Sequence, residues 1–226
     1  HHPRPDWAEQ DPADWWRAAV AAARRCLAGQ DGPRIAAIGL SSQREGVVPL
    51  GKDGEPLSRC IIWMDRRCRP QSGQLGAEFG EEFLHRHTGL APDPNYTACK
   101  LLWVREHQPD LLRAAATFLQ PRDYLYHRLT GERVTDYTLA TRTMMLDLRR
   151  LAWWPEMFER VGVRPEQFPA VHRSIDAPYR LSPPAAAALG LPSSIPVALG
   201  AGDRACEAVG AGLAAQRACE STGTAT

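Results

Sequence analysis

The sequence predicts an α/β fold with a mixed sheet flanked by helices, on three observations. Apolar runs of strand length alternate with stretches whose apolar residues recur every three or four positions. At one junction, Ile195 to Gly212 (IPVALGAGDRACEAVGAG), a strand passes into a helix through a glycine break. The chain has 226 residues, 44% of them hydrophobic, which is enough to bury a sizeable core.

Taken in order, Asp11-Pro12 sets a helix cap and a first-turn proline. Trp15, Trp16, Ala19, Val20, Ala23, Cys26 and Leu27 then form a broad apolar face. Residues 34–41, 47–50 and 61–63 read as strands, with Lys52-Asp53-Gly54-Glu55 as a turn. Polar clusters follow two of them: Ser42-Gln43-Arg44-Glu45 after the first and Met64-Asp65-Arg66-Arg67 after the third. Residues 70–87 form one or two helices closed by Thr88-Gly89, and Asn95-Tyr96-Thr97 lead into a helix over 98–107. Pro109 opens a short helix, 117–120 is a strand, and 121–129 is a helix stopped by Gly131. Residues 153–161 and 183–189 are two further helices. Pro196 to Leu199 is then a buried strand, broken at Gly200-Ala201-Gly202, and Asp203 opens a helix marked by Cys206, Val209 and Leu213. There is no internal repeat.

Charge narrows the classes. With 27 basic and 26 acidic residues the net charge is +1, which leaves no electrostatic footprint for nucleic acid or an anionic membrane. No apolar run reaches membrane-spanning length and no secretory signal is visible, so a soluble, cytoplasmic protein is expected. The six cysteines form no CxxC pair and read as reduced, mostly buried thiols. His85 and His87 lack a third ligand, so no metal site is expected there.

Asp203 stands at the carboxyl end of a strand and the amino end of a helix, with glycines that admit close approach. That suits chemistry, and it equally suits a helix cap contributing about 1 kcal/mol. Gly200-Ala201-Gly202-Asp203-Arg204-Ala205, with Glu220 further on, also fits the dinucleotide fingerprint. Against that, Asp203 sets a negative charge where a pyrophosphate would sit, and Glu220 runs into a Ser-Thr-Gly-Thr turn with no further βαβ unit.

Several stretches, in order, resemble the FGGY family of carbohydrate kinases, which includes xylulokinase and glycerol kinase. They are Glu9-Gln10-Asp11-Pro12 with Trp15-Trp16, Ile38-Gly39-Leu40-Ser41-Ser42-Gln43, and Ile62-Trp63-Met64-Asp65-Arg66-Arg67. Thr88-Gly89, the segment from Tyr96 to Trp103, Asp123-Tyr124-Leu125 with Leu129-Thr130-Gly131, Gly202-Asp203 and Gly223-Thr224 continue the series. Asn95 departs from the aromatic or small residue usual at its place. The resemblance implies a ribonuclease H-like domain of the actin/hexokinase ATPase type, in a two-domain protein whose sugar and ATP meet in the cleft. Residues 1–226 would be the substrate-binding first domain, lacking its opening β-hairpin and the ATP-binding second domain. The implied activity is ATP-dependent phosphorylation of a hydroxyl of a ketopentose-like sugar or glycerol-like polyol. Mg²⁺ would be held by ATP phosphates and carboxylates, and this span alone is expected to be inactive. The alternative is a sugar-binding or structural unit without turnover; an NAD(P)-binding oxidoreductase ranks below both. The implied partners are a small-molecule sugar or polyol and ATP, with a homodimer as the candidate assembly and neither nucleic acid nor membrane.

By the same resemblance Asp203 is the general base. Gln43, Arg44 and Glu45 match the glycerol-kinase version of the polyol-binding turn, where xylulokinases usually carry Met-His. Guanidinium donors and carboxylate acceptors complement a vicinal diol. Trp63 and Asp65 are expected sugar contacts. Asn95 and Tyr96 fall where glycerol kinase sets an aromatic against its substrate. Arg204 follows the base where the family often has Asn or Gln. Thr222-Gly223-Thr224 resembles the second phosphate loop, whose backbone N–H groups and hydroxyls cradle phosphate oxygens.

Overall fold

A computed structural model describes residues 1–29 and 35–220. β1 (Glu9–Gln10) leads into α1 (Pro12–Leu27), whose first turn is set by Pro12 and by the Asp11 carboxylate accepting from the Ala13 N–H. Strands β2 (Ile38–Ser42), β3 (Val48–Leu50) and β4 (Cys60–Ile61) follow. A helical region then holds α2 (Arg69–Phe79), α3 (Glu81–Thr88), α4 (Thr97–His107) and α5 (Pro109–Ala114). Next come β5 (Thr117–Leu119), α6 (Pro121–Thr130), β6 (Val134–Asp136), α7 (Tyr137–Ala140) and a 3₁₀ turn, Thr141–Thr143. β7 (Leu146–Asp147), β8 (Ala152–Trp153), α8 (Pro155–Val161), β9 (Ala170–His172) and β10 (Tyr179–Arg180) lead to α9 (Pro183–Leu189). The described part ends with β11 (Pro196–Gly202) and α10 (Asp203–Gly210).

The expected mixed pairing is present. In the three-stranded sheet β10-β11-β2, β11 is antiparallel to β10 and parallel to β2. β6 and β9 pair in parallel, whereas β1–β4, β3–β5 and β7–β8 are antiparallel. One apolar cluster gathers α2, α3, α4 and α8 around Leu75, Leu84, Leu101, Leu102 and Phe158. Helix α4 is buried without a break from Thr97 to Val104, so it has no polar stripe in that span. A second cluster joins α6 and α9 to β11 through Tyr126, Leu189, Val197 and Leu199. Among the described residues no helix is long and apolar enough to cross a membrane.

Several expectations are corrected. The apolar face of α1 is narrower than read: Trp16, Val20 and Ala23 pack on the second cluster, while Ala19 and Cys26 are exposed. Only Cys60, Cys68 and Cys99 are buried; Cys206 is half-buried, and Cys26 and Cys219 are exposed. The region 70–87, read as one or two helices, is two, divided at Gly80, where φ is +82°. Trp153 belongs to β8 opposite Leu146, because Pro155 rather than Trp153 opens α8. Trp63 lies in a turn beyond β4, and β11 runs through the glycines to Gly202 instead of stopping at Leu199. Residue 34, the expected start of the first strand, lies outside the described residues.

Candidate active site

β11 and β2 run side by side, and the register shifts between Ala198 and Ala201. The shift is possible because residue 200 is glycine: φ is +69°, and a Cβ there would collide with the Leu40 carbonyl oxygen and lie 2.7 Å from its carbon. Both strands deliver their polar ends to one place. Beyond β2 come Gln43, Arg44 and Glu45; beyond β11 comes Asp203. A Cβ at Gly202 would lie 2.7 Å from Arg44 Cγ, so the bare backbone makes room for the arginine to cross it. Arg44 Nε thereby comes within 3.6 Å of Asp203 Oδ1.

Seven of the expected site residues, Gln43, Arg44, Glu45, Trp63, Asn95, Asp203 and Arg204, line one cavity of about 390 Å³. Arg142 completes the lining. Gly202, not Asp203, is the cap residue of α10, and the Asp203 side chain is 47% exposed. Its Oδ1 accepts from the Arg204 N–H at 2.8 Å. The Arg44 Nε is buried, and no hydrogen-bond acceptor reaches it. Gln43 donates to Gln10 Oε1 (2.6 Å), which also accepts from Trp15 Nε1 (3.0 Å).

Glu45 is the most constrained member. It is buried, its φ is +63°, its N–H donates to Gln120 Oε1 at 2.9 Å, and its carboxylate accepts from Arg142 Nε at 2.5 Å. A left-handed backbone is unusual for a residue with a Cβ and persists only where the surroundings fix it. Lys100, fully buried on α4, supplies part of that fixing: Nζ donates to the Glu45 carbonyl (2.6 Å) and to the Asn95 carbonyl (2.5 Å). Burial pulls its ammonium below the ordinary lysine range. Asn95 itself accepts at Oδ1 from Arg66 Nη1 (2.7 Å).

Behind the strand end lies a second buried network. Arg122, on α6, donates to the Leu199 carbonyl (2.7 Å) and to Asp136 Oδ1 (2.6 Å). Asp136 caps α7 through the Thr138 N–H and hydroxyl, and Thr138 Oγ1 accepts from the Gly202 N–H at 2.9 Å. Asp123 Oδ1 lies 3.0 Å from Arg122 Nη2 yet makes no hydrogen bond. Burial pushes its carboxyl up to about 6 against the pull of Arg122.

Two expected contacts do not reach the cavity. Asp65 is fully buried, with its oxygens taken by the Ala8 N–H (2.6 Å) and by the Arg67 N–H (2.9 Å) and guanidinium (2.7 Å at Nη2). It braces β4 against the amino-terminal segment. Tyr96 is buried as the cap residue of α4, with the Arg142 guanidinium 4.9 Å over its ring. Thr222, Gly223 and Thr224 lie outside the described residues. The dinucleotide reading loses its support, because β11 is followed by the eight-residue α10 and residues 211–220 contain no strand. Sequence reasoning missed Arg142, Gln120, Lys100 and Thr138 as parts of the site.

Strand ends converge on an open polar cleft lined by guanidinium and carboxylate groups, in a mixed α/β fold of the actin/hexokinase ATPase type. The description of the FGGY family of carbohydrate kinases, N-terminal domain, matches residues 1–210, and the chain belongs to that family. It is 35% identical to the xylulose kinase of Escherichia coli (strain K12) over 224 residues, 98% of this chain and 46% of the relative. It is 36% identical to the glycerol kinase of Thermococcus gammatolerans over 180 residues, 77% of this chain and 36% of the relative. Among solved structures it resembles the xylulose kinase from Rhodospirillum rubrum with a TM-score of 0.91 at 31% identity, covering 95% of this chain and 44% of that one. The chain thus spans less than half the length of these relatives.

Proposed function

We propose that this chain is the substrate-binding part of an ATP-dependent kinase that phosphorylates a hydroxyl of a sugar or polyol, with Asp203 as the general base. The observation that carries the reading is the Asp203 carboxylate itself. It is half exposed at the cavity and 3.6 Å from Arg44 Nε; Gly202 rather than Asp203 is the cap residue of α10, although Asp203 Oδ1 accepts the Arg204 N–H. In phosphoryl transfer the protein mainly positions a nucleophilic hydroxyl and stabilises charge on the transferred group. In this reading the reacting hydroxyl donates to Asp203 and passes it the proton as its oxygen bonds to the γ-phosphorus, while the bond from that phosphorus to the β,γ-bridging oxygen breaks and ADP leaves. Such assistance contributes about 10²–10⁴-fold.

Arg44 and Gln43 donate to neighbouring hydroxyls and Glu45 accepts from one. Trp63 covers a carbon face of the substrate, with Asn95 and Arg204 supplying further polar contacts. Thr222-Gly223-Thr224 would cradle phosphate oxygens through backbone N–H groups and hydroxyls. Mg²⁺ would be carried in on the nucleotide's phosphates. A reaction that consumes ATP fits a cytoplasmic protein.

The test is ATP turnover by the full-length protein over a panel of pentuloses, polyols and sugar acids. Asp203→Asn should lose at least about 10²-fold in kcat while sugar binding by calorimetry persists. Unchanged turnover would remove Asp203 from the role of base.

A further inference from the structure

Arg142 lines the cavity although 97 residues separate it from its ion-pair partner, Glu45. We infer that Arg142 is a positioning residue that sets specificity: it occupies one oxygen of Glu45 and so directs the other toward a single substrate hydroxyl, the neighbour of the one phosphorylated. The inference rests on the kinase reading above.

Four observations carry it. The pair is enclosed: the Glu45 side chain is 8% exposed and that of Arg142 27%. The contact engages only Oε1, so one oxygen of the carboxylate is left to accept. The guanidinium carbon also lies 4.9 Å from the centroid of the buried Tyr96 ring, a second contact that holds Arg142. A ring contact combined with a directed Nε–H is a pairing that a flexible ammonium reproduces poorly.

The remaining observation concerns where Arg142 is mounted. Its 3₁₀ turn is closed by Thr143 Oγ1, which donates to the Ala140 carbonyl (2.7 Å) and accepts from the Met145 N–H (3.0 Å). The buried side-chain amide of Gln120 accepts from the Glu45 N–H (2.9 Å) and donates to the Leu139 carbonyl (2.7 Å). Glu45 is therefore tied to residues 137–143 twice, by backbone and by side chain. The same segment holds the other wall, because Thr138 Oγ1 accepts from the Gly202 N–H next to Asp203. One short segment thus sets where the hydroxyl acceptor stands relative to the base, and Arg142 is its reach into the cavity.

The experiment uses the full-length protein with D-xylulose and glycerol, each beside the analogue lacking the hydroxyl next to a terminal one (4-deoxy-D-xylulose and propane-1,3-diol). Wild type, Arg142→Gln, Arg142→Ala, Arg142→Lys and Asp203→Asn are compared. Loss of a charge-assisted hydrogen bond predicts that Arg142→Gln and Arg142→Ala lower kcat/KM for the parent substrate about 10- to 100-fold, mainly through KM. The ratio of kcat/KM between parent and deoxy analogue should shrink toward one. Arg142→Lys should restore little of either, and guanidinium ion in solution should restore part of the Ala variant's KM. A parent-to-deoxy ratio as large in both Gln and Ala variants as in wild type, with Asp203→Asn inactive, overturns the role of Arg142 alone. Retained activity in Asp203→Asn, or no turnover of either parent substrate by wild type, overturns the kinase reading and this inference with it.

Discussion

Gly200 and Gly202 stand two residues apart in β11, and replacing each by alanine should have opposite consequences. At Gly200 the backbone has φ of +69°, and an added Cβ would meet the backbone of Leu40, its C and N at 2.7 and 2.8 Å. Left-handed geometry costs an alanine about 1–2 kcal/mol. Backbone cannot swing aside, so β11 must also part from β2 and lose pairing at about 0.5–1.5 kcal/mol per hydrogen bond. Together these predict a loss of roughly 3–4 kcal/mol, or roughly 6–15 °C in Tm for a domain of this size. Gly202 has φ of −62° and ψ of 150°, which alanine adopts freely. The three atoms nearest its Cβ would all belong to the Arg44 side chain, which is 17% exposed and can rotate away. Gly202→Ala should therefore melt within about 4 °C of wild type while Arg44 leaves Asp203 and KM rises roughly 10-fold. Scanning calorimetry and steady-state kinetics on both variants decide it. A Gly200→Ala protein that melts with wild type, or a Gly202→Ala protein with unaltered KM, would refute the assignment of one glycine to the fold and the other to the site.

Asp123 should impose a pH dependence. Its folded carboxyl sits at about 6, above the ~3.9 of an unfolded chain, so the native state holds the proton more tightly. The stability this contributes is complete below about pH 4 and is lost as pH rises through about 6, roughly 3 kcal/mol at most. Asp123→Asn, neutral throughout, should gain in Tm relative to wild type between about pH 4 and pH 7; parallel Tm curves would count against it. Burial pushes the thiols of Cys60 and Cys99 up to about 12, and that of Cys68 up as well. Iodoacetamide at neutral pH should therefore mark Cys26 and Cys219 first and Cys206 slowly, with Cys60, Cys68 and Cys99 reacting only after denaturation, as read by mass spectrometry.

The strand–glycine–helix junction was legible because its signals are local: an apolar run, glycines, then helical spacing after Asp203. The turn Gln43-Arg44-Glu45 was legible for the same reason, as a polar break after a strand. Asp65 was misread because its place beyond a strand resembles that of Glu45. Whether such a carboxylate meets substrate or a buried guanidinium depends on Arg67 folding back onto it. Arg142 left no trace, because nothing in its own neighbourhood differs from any short polar turn. Its meaning comes from residues 97 and 46 positions away (Glu45 and Tyr96), which only the folded chain brings beside it, with α4 packed on its 3₁₀ turn. The two-residue strands β1, β7, β8 and β10 are too short to show an alternation of period two and were not read, whereas β4 overlaps the stretch 61–63 that was.

One flank of the β10-β11-β2 sheet is unclaimed among the described residues, since β2 pairs with β11 alone. Its side chains alternate between half-buried and exposed from Ile38 to Ser42, so no bulky charge guards that border. Peptide groups left in this state recruit any extended segment within reach. Handled without a companion strand, the chain should clump as its concentration rises, and a short peptide laid along Ile38–Ser42 should keep it dispersed.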